Sequence, residues 1–366
     1  MKKSLICRSG SLFSLLVIVL ALSVSLWVAC GEKYNTIIEP EETQEVVLSP
    51  SNPQVRAVME IQDRYTKEIM ARPGIVGTAT GMTEDGRPAI IVFAKTAVLA
   101  KTAALPTTLE AVPVIVQVTG EFKALKGPPG GEDPGGEDPT ARQDRPVPIG
   151  VSTGHPSITA GTIGCRVTDG TNVYALSNNH VYAATNSATI GDAVIQPGTF
   201  DGGSSPADDI GTLFDFEPID FSAGATNIID AAIALSTTED LGNATLPDGY
   251  GTPLSTAVAA SIGDNVMKYG RTTGFTTSKV QAINATVNVN YGDPGVATFV
   301  DQIVISGGGF SAGGDSGSLI IRNDGSKRAP IPGPAVALLY AGGGGSTIGC
   351  PIEEVLARFG VTIDGN

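Results

Sequence analysis

Basic residues are scarce in this sequence. The 366-residue chain holds 23 Lys and Arg against 37 Asp and Glu, a net charge of −14. Nothing in that balance attracts a phosphate backbone, which argues against a nucleic-acid partner. Long helical blocks are lacking too. Gly 46 and Pro 24 together make about a fifth of the chain, against ~12% usual for the pair. So much turn material excludes a helix bundle or coiled coil and favours short strands joined by many loops. Charged residues are only 16% of the chain, while 42% is hydrophobic, enough for a packed core and against disorder over most of the length. Histidine occurs twice, as His155 and His180. The side chain that most often serves as a base near neutral pH is therefore confined to two positions.

The long apolar run lies at the start. Lys2, Lys3 and Arg8 precede residues 12–29, apolar except for Ser14, Ser23 and Ser25, and Cys30 follows at once. This is the layout of an export signal. The run also overlaps the length of a membrane span, so an uncleaved anchor is an alternative, as is ordinary secretion. Residues 1–29 resemble a bacterial lipoprotein signal, with Cys30 as the acylated residue; Trp27 stands where that family usually has Leu. Each reading puts the rest of the chain outside the cytoplasm; the lipoprotein and uncleaved-anchor readings place it in the cell envelope, touching the membrane through the N-terminus alone. Cys7 and Cys30 belong to the signal, leaving Cys165 and Cys350. In an oxidising compartment these two can form a disulfide; the alternative is two separate buried thiols.

The remainder divides by composition. Residues 30–53 are acidic and polar and read as a tether. Residues 54–126 read as a small α/β domain. Val55, Val58, Ile61 and Ile69 have helical spacing, and 74–82, 88–94 and 112–118 read as strands, the first two joined at Glu84-Asp85-Gly86. The unit has no His and no Cys, so it offers little chemistry. A regulatory or pro-segment-like role stands beside a purely structural one. Residues 127–148 read as a solvated linker in which Gly-Gly-Glu-Asp-Pro repeats at 130–134 and 135–139, and Arg142 and Arg145 suit proteolytic nicking. Residues 149–366 form the large domain. Its short runs rich in Val, Ile and Thr (162–168, 173–176, 210–214, 228–234, 280–291, 298–306, 317–321, 335–341) predict a mostly β antiparallel barrel or sandwich; only 351–359 reads as helix.

Three residues of the large domain carry chemistry. His180 ends the strand-like run 173–180, and Asn178 and Asn179 bring it from a buried strand to a surface position. His155, in a Gly-His-Pro turn, reads as structural. Ser316 lies in Gly-Gly-Asp-Ser-Gly-Ser at 313–318. Glycines on both sides let the chain turn sharply and expose N–H groups that can hold an oxyanion. Asp230 is one acid inside the apolar run 227–235. A buried carboxylate is costly unless hydrogen-bonded, and a His ring N–H is its natural partner. His180 precedes Asp230 by 50 residues, and Asp230 precedes Ser316 by 86. No His follows Ser316, which excludes the α/β-hydrolase order, and Ser318 fails the Gly-x-Ser-x-Gly elbow. A subtilisin-like order would need an acid before His180 and an α/β alternation that the large domain lacks.

The segments Leu-Ser-Asn-Asn-His-Val at 176–181, Asn-Ile-Ile-Asp-Ala-Ala-Ile-Ala at 227–234 and Gly-Gly-Asp-Ser-Gly-Ser-Leu-Ile at 313–320 resemble the three signatures of trypsin-like serine proteases of the chymotrypsin fold, in a divergent bacterial branch. The resemblance covers 148–366. It implies two antiparallel six-stranded β-barrels with a C-terminal helix and a cleft between the barrels. His180 and Asp230 would come from the first barrel and Ser316 from the second. It implies a serine endopeptidase in which His180 takes the Ser316 proton, an acyl-enzyme forms and water releases it. Gly314 and Ser316 would supply the oxyanion hole. Asp315 resembles the acid that in animal zymogens meets a newly cut N-terminus. Val181 replaces the usual Cys beside the His, so the disulfide usual there is absent, and Asn179 and Ser318 also depart from the common residues. Phe310 falls where the family lines the base of the substrate pocket, with Ala341, Gly342 and Gly343 near its wall; with no acid from 306 to 314, an apolar or small P1 residue is expected. No cofactor is expected. The acidic loop with Asp201, Asp208 and Asp209 is a candidate Ca²⁺ site set against a solvated turn, and Arg271 a substrate contact set against a structural turn. A non-catalytic binding protein of the same fold and an esterase are the functional alternatives.

Overall fold

The computed structural model describes residues 47–125, 137–325 and 331–366. The signal 1–29, Cys30, the tether as far as residue 46 and the first ten residues of the linker lie outside the described residues. Among the described residues no helix is long and apolar enough to cross a membrane.

The first helix starts where local chemistry tells it to. The Asn52 side chain accepts the Gln54 N–H at 2.8 Å and Pro53 takes the first helical position. Helix α1 (Pro53–Met70) then buries Val55, Val58 and Ile69. Its one polar inward residue, Gln62, is satisfied by Thr80 at 2.7 Å and the Asn284 carbonyl at 2.8 Å. Next come β1 (Ile75–Met82), β2 (Pro88–Ala94), α2 (Ala97–Thr102), β3 (Thr108–Leu109), β4 (Val112–Val118) and β5 (Phe122–Ala124). β1 and β2 form a hairpin, and β4 lies parallel to β2.

The large domain begins with β6 (Ser152–Thr153), β7 (Gly161–Thr162), β8 (Cys165–Thr168), β9 (Val173–Ser177), α3 (Asn179–Tyr182), β10 (Ala193–Ile195), β11 (Asp209–Phe216) and β12 (Ala232–Ser236). It continues with β13 (Asn265–Gly270), β14 (Gly274–Asn290), β15 (Val296–Ile305), β16 (Leu319–Asn323), β17 (Pro332–Gly343), β18 (Ser346–Pro351), α4 (Ile352–Phe359) and β19 (Thr362–Ile363). The protein is mostly β with a C-terminal helix, as its turn-rich, alternating sequence indicates. In the second half β13, β16, β17, β18, β15 and β14 pair in a closed circuit of six strands, because β13 bonds both β16 and β14. The first half is a six-stranded path, β10-β11-β12-β9-β8-β19, that strand pairing does not close. Its last member comes from the far C-terminus: after α4 the chain returns so that Thr362 faces Thr168.

Residues 54–126 contain the helix and strands their pattern predicts, yet they do not stand apart as a domain. β14 is 17 residues long, and its first six residues already serve β13. The rest of that edge would be open, and an unpaired edge is a liability. β1 fills it, with Gly77 opposite Val287 and Thr78 opposite Thr286, so one sheet runs from the N-terminal segment into the second half of the large domain. The linker reading also ends early. Within 137–148 the chain is bound down: Arg142 grips Asp208, Arg145 pairs with Asp240, and the Val147 N–H donates to the Asp240 carbonyl at 2.9 Å.

One core cluster joins the two halves. It includes Val167, Leu176 and Ile233 from the first sheet and Leu319, Leu338 and Tyr340 from the circuit, all fully buried or nearly so. Each such side chain contributes roughly 1.5–3 kcal/mol on leaving water. Cys165 and Cys350 also belong to this core, and both are unpaired thiols. The disulfide expected from the compartment is absent. The two residues sit on strands of different sheets, and the Cys350 sulfur is engaged elsewhere, accepting the Asp230 N–H at 3.2 Å.

Candidate active site

Strand register brings His180 and Asp230 together. β9 and β12 pair antiparallel, and Ser177, the last residue of β9, faces Ala232, the first of β12. The residues just after Ser177 and just before Ala232 therefore share one end of the pair. There Asn178 opens the short helix α3, whose second residue is His180. His180 Nδ1 lies 2.6 Å from Asp230 Oδ2, and the His180 main-chain N–H donates to Oδ1 at 3.2 Å. The Asp230 carbonyl accepts from Asn178 Nδ2 at 2.7 Å. A third donor reaches the carboxylate: Tyr291, just past the end of β14, gives its hydroxyl to Oδ2 at 2.7 Å. Burial, reinforced by Asp230, pushes the Tyr291 phenol well above its ordinary value, so it stays a donor at neutral pH. The same burial and the same carboxylate raise the Cys350 thiol. With its Nδ1 proton on Asp230, the imidazole presents a lone pair at Nε2. That atom is buried and makes no hydrogen bond.

Ser316 lies in the turn between β15 and β16. The turn is closed by the Asp315 N–H on the Ala312 carbonyl at 3.1 Å and the Ser318 N–H on the Asp315 carbonyl at 3.0 Å. Gly314 has φ +97°, and a Cβ there would stand 2.5 Å from Thr272 Oγ1, so the position needs glycine. The Asp315 carboxylate accepts the N–H groups of Ala312 at 2.9 Å and Thr272 at 2.8 Å, with Lys268 Nζ at 3.6 Å. Burial pushes the Lys268 ammonium down and Asp315 opposes it. Asp315 is thus held by residues 268–273 and 312 and not by a chain terminus. Ser316 Oγ is buried and donates to the Tyr340 carbonyl at 3.1 Å. The structure therefore joins His180 to Asp230 but does not hydrogen-bond Ser316 to His180. Aromatic rings bridge the two: Tyr340 packs on Phe299 at 4.8 Å, and Phe299 stacks on Tyr291 at 6.1 Å.

The Gly314 N–H has a partner from far away in sequence. It donates to the Leu125 carbonyl at 2.7 Å. Beside Leu125 is a cavity of about 210 Å³ lined by Gly307–Gly309, Ser311 and Gly342–Thr347. Gly342 and Gly343 are in that lining. Phe310 and Ala341 are not in the lining. Phe310 is buried in the circuit's core, with the Lys268 ammonium 6.0 Å from its ring centre, and Ala341 uses its backbone to pair with Ala124.

The remaining candidates have structural partners. Asp201 is held by Arg271 Nε at 2.9 Å and by Ser152, and Asp208 by both ends of the Arg142 fork at 2.6 and 2.8 Å. The Asp209 carbonyl accepts from Arg145. The Asp201 and Asp208 carboxylates are therefore spent on arginines, whereas Asp209 Oδ1 is buried without a hydrogen bond, and among the described residues no cluster of three metal-ligating groups occurs. Arg271 holds the loop through Asp201. His155 bonds Ser157 of its own turn at 2.7 Å and Asp192, from just before β10, at 3.2 Å. Sequence reasoning missed Tyr291, Tyr340 and Leu125. The alternation Val287, Val289, Tyr291 does mark a buried face, but no local signal names the partner of the hydroxyl.

Comparisons with known proteins bear on the same region. A family model, the Nal1 C-terminal domain, matches residues 228–348. Glutamyl endopeptidase 2 of Streptomyces griseus is 31% identical over 122 residues, 33% of this chain and 59% of that protein, so the match spans under two thirds of the relative's length. Among solved structures, Thermobifida fusca protease A aligns with TM-score 0.42 and 20% identity over 60% of this chain and 99% of its own. A glutamic acid specific serine protease described as using a histidine triad in substrate binding aligns with TM-score 0.42 and 24% identity over 59% of this chain and 100% of its own. The chain is similar to trypsin-like bacterial serine proteases.

Proposed function

We propose that this chain is an exported serine endopeptidase, tethered to the cell envelope through Cys30. The observation that carries the reading is the His180–Asp230 pair, buried and oriented, with an unpartnered Nε2 that can take a proton. Asp230, with three donors, stabilises the imidazolium that forms. Ser316 Oγ, turned about its Cα–Cβ bond from the Tyr340 carbonyl toward Nε2, attacks a carbonyl held by the Gly314 N–H. An acyl-enzyme forms, and His180 returns the proton to the leaving amine before water completes the turnover. The relative's name marks a preference for glutamyl bonds, but the cavity beside Leu125 is lined by glycines and hydroxyls with no cation, which favours an apolar P1 residue.

A fluorophosphonate probe tests the reaction. Prolonged incubation should label Ser316, and Ser316→Ala and His180→Ala should both abolish labelling. The Ser316–Tyr340 hydrogen bond favours the rival reading, a binding protein that keeps the fold without turnover; a folded chain that never labels would establish it. Anchoring is tested separately by membrane fractionation of Cys30→Ala, which should release the protein.

A further inference from the structure

Three hydroxyls hold the main chain of the Ser316 turn. Gly313 and Gly314 stand on both sides of one peptide bond. With no Cβ at either end, that unit can turn over at little steric cost unless something fixes it. In a trans peptide the C=O and the N–H point opposite ways, so whatever holds the carbonyl aims the N–H. Thr272, in the turn between β13 and β14, donates its Oγ1 hydroxyl to the Gly313 carbonyl at 2.7 Å. The other end of the unit, the Gly314 N–H, is thereby aimed away from Thr272, where it meets a carbonyl, that of Leu125, at 2.7 Å. The next unit is held by Thr162, the last residue of β7, whose Oγ1 donates to the Gly314 carbonyl at 2.8 Å. The unit after that carries the Ser316 N–H, and its carbonyl, belonging to Asp315, accepts Ser318 Oγ at 2.7 Å. Three successive peptide units thus each receive one hydroxyl.

The direction of donation is set by Arg271, because a guanidinium and a main-chain N–H only donate. Arg271 Nη1 donates to Thr272 Oγ1 at 3.1 Å, and the Arg271 N–H donates to Thr162 Oγ1 at 3.0 Å. Both threonine oxygens therefore act as acceptors toward Arg271 and keep their protons for the glycine carbonyls. Arg271 is itself buried and anchored on Asp201, through Nε at 2.9 Å and through Nη2. Thr272 is placed by its own N–H on Asp315 Oδ1 at 2.8 Å. Hydrogen bonds that run one way along a chain polarise one another, so the cation at the far end makes the Gly314 N–H a stronger donor. On the hydrolase reading proposed above, we infer that Thr272 and Ser318 are positioning residues for the reaction. The Thr272 hydroxyl, backed by Arg271, keeps the Gly314 N–H turned toward the substrate carbonyl, and the Ser318 hydroxyl does the same for the Ser316 N–H. Neither side chain lines the cavity beside Leu125; each acts through a main-chain group. Without the Thr272 hydroxyl the 313–314 unit is free to turn its carbonyl oxygen toward the place where the oxyanion forms, and two negative oxygens repel. The full charge exists only in the transition state, so the loss falls on kcat more than on KM.

The test uses the full chain and two probes. Turnover of a peptidyl p-nitroanilide with an apolar P1 residue gives kcat and KM. Acylation by cinnamoyl imidazole, followed by difference infrared spectroscopy, gives the stretching frequency of the acyl carbonyl, which falls as hydrogen bonds to that oxygen strengthen. Thr272→Val should lower kcat by about tenfold or more with KM within about twofold, short of the roughly 10²–10³ that loss of an oxyanion donor itself costs. It should also raise the acyl carbonyl frequency. Thr272→Ser keeps the hydroxyl and should stay near the wild type in both readouts. Ser318→Ala removes one oxygen, should shift both readouts in the same direction as Thr272→Val, and carries the test if Thr272→Val does not fold. A folded Thr272→Val or Ser318→Ala chain with the wild-type kcat and carbonyl frequency overturns the inference and leaves the hydrolase reading standing. So does a loss that Thr272→Ser shares in full, because the hydroxyl is then not its cause. A wild type that neither acylates nor turns over removes both.

Discussion

Replacing Tyr291 by Phe isolates one hydrogen bond to a buried charge. The ring and its packing on Phe299 and Phe221 remain; what goes is the hydroxyl 2.7 Å from Asp230 Oδ2. Asp230 is fully buried and takes three donors, two from His180 and one from Tyr291. A hydrogen bond to a charged group contributes about 1.5–3 kcal/mol, a neutral one about 0.5–1.5 kcal/mol. Tyr291→Phe should therefore lower unfolding stability by about 1.5–3 kcal/mol. Made on top of Asp230→Asn, where the acceptor is neutral, the same change should cost only about 0.5–1.5 kcal/mol. Urea unfolding of the four proteins, all carrying Ser316→Ala so that no proteolysis intervenes, gives the two differences directly. Equal costs in both backgrounds would refute the claim that the phenol supports the charge. Hydrolysis should also suffer, because the oxygen that orients His180 Nδ1 would lose its second donor.

The other predictions probe the rest of the frame. Gly314→Ala forces a Cβ against Thr272 at φ +97° and displaces the oxyanion donor, so kcat/KM should fall by roughly 10²–10³; an unchanged rate would show the N–H is not needed. Arg271→Met leaves buried Asp201 without its cation and should cost about 3–5 kcal/mol in thermal or urea unfolding. Arg142, bonded to Asp208, holds that carboxyl below the usual carboxylate range. The stability this supplies is present above the unfolded value of ~3.9 and is lost as pH falls through the depressed one. Arg142→Gln should therefore flatten the acid limb of a stability–pH curve, and parallel curves would count against the pair. Cys165 and Cys350, buried with thiols pushed up, should resist iodoacetamide until the chain unfolds, as peptide mass mapping would show.

Much of this arrangement was legible before any coordinates. Apolar patterning locates β1, β2 and β4 and, in the large domain, β9, β11, β15 and β16 within a residue or two, because it reports which face of a strand is buried; β12, β14 and β17 are found with shifted ends, and β6, β10, β13, β18 and β19 are missed. The single acid in 227–235 and the rarity of His single out Asp230 and His180, because a buried carboxylate needs a partner and few were on offer. Other expectations failed for identifiable reasons. The acidic loop resembles a cation site in composition, but Arg142 and Arg271 come from 66 and 70 residues away. Phe310 is close in sequence to the pocket, yet a phenyl ring is more stable in the circuit's core than against the glycine-lined cavity.

Residue type and spacing sufficed to single out His180, Asp230 and Ser316, the mostly β character of the chain and several of its strands. They could not say which backbone N–H meets which carbonyl across hundreds of residues. That choice made the N-terminal segment part of the barrel sheet, put a tyrosine hydroxyl on Asp230 and laid Leu125 against Gly314. The physical reason is that side-chain pattern encodes only a preference for water or core. Main-chain donors and acceptors are alike at every residue, so their pairing is selected by the packing of the whole fold.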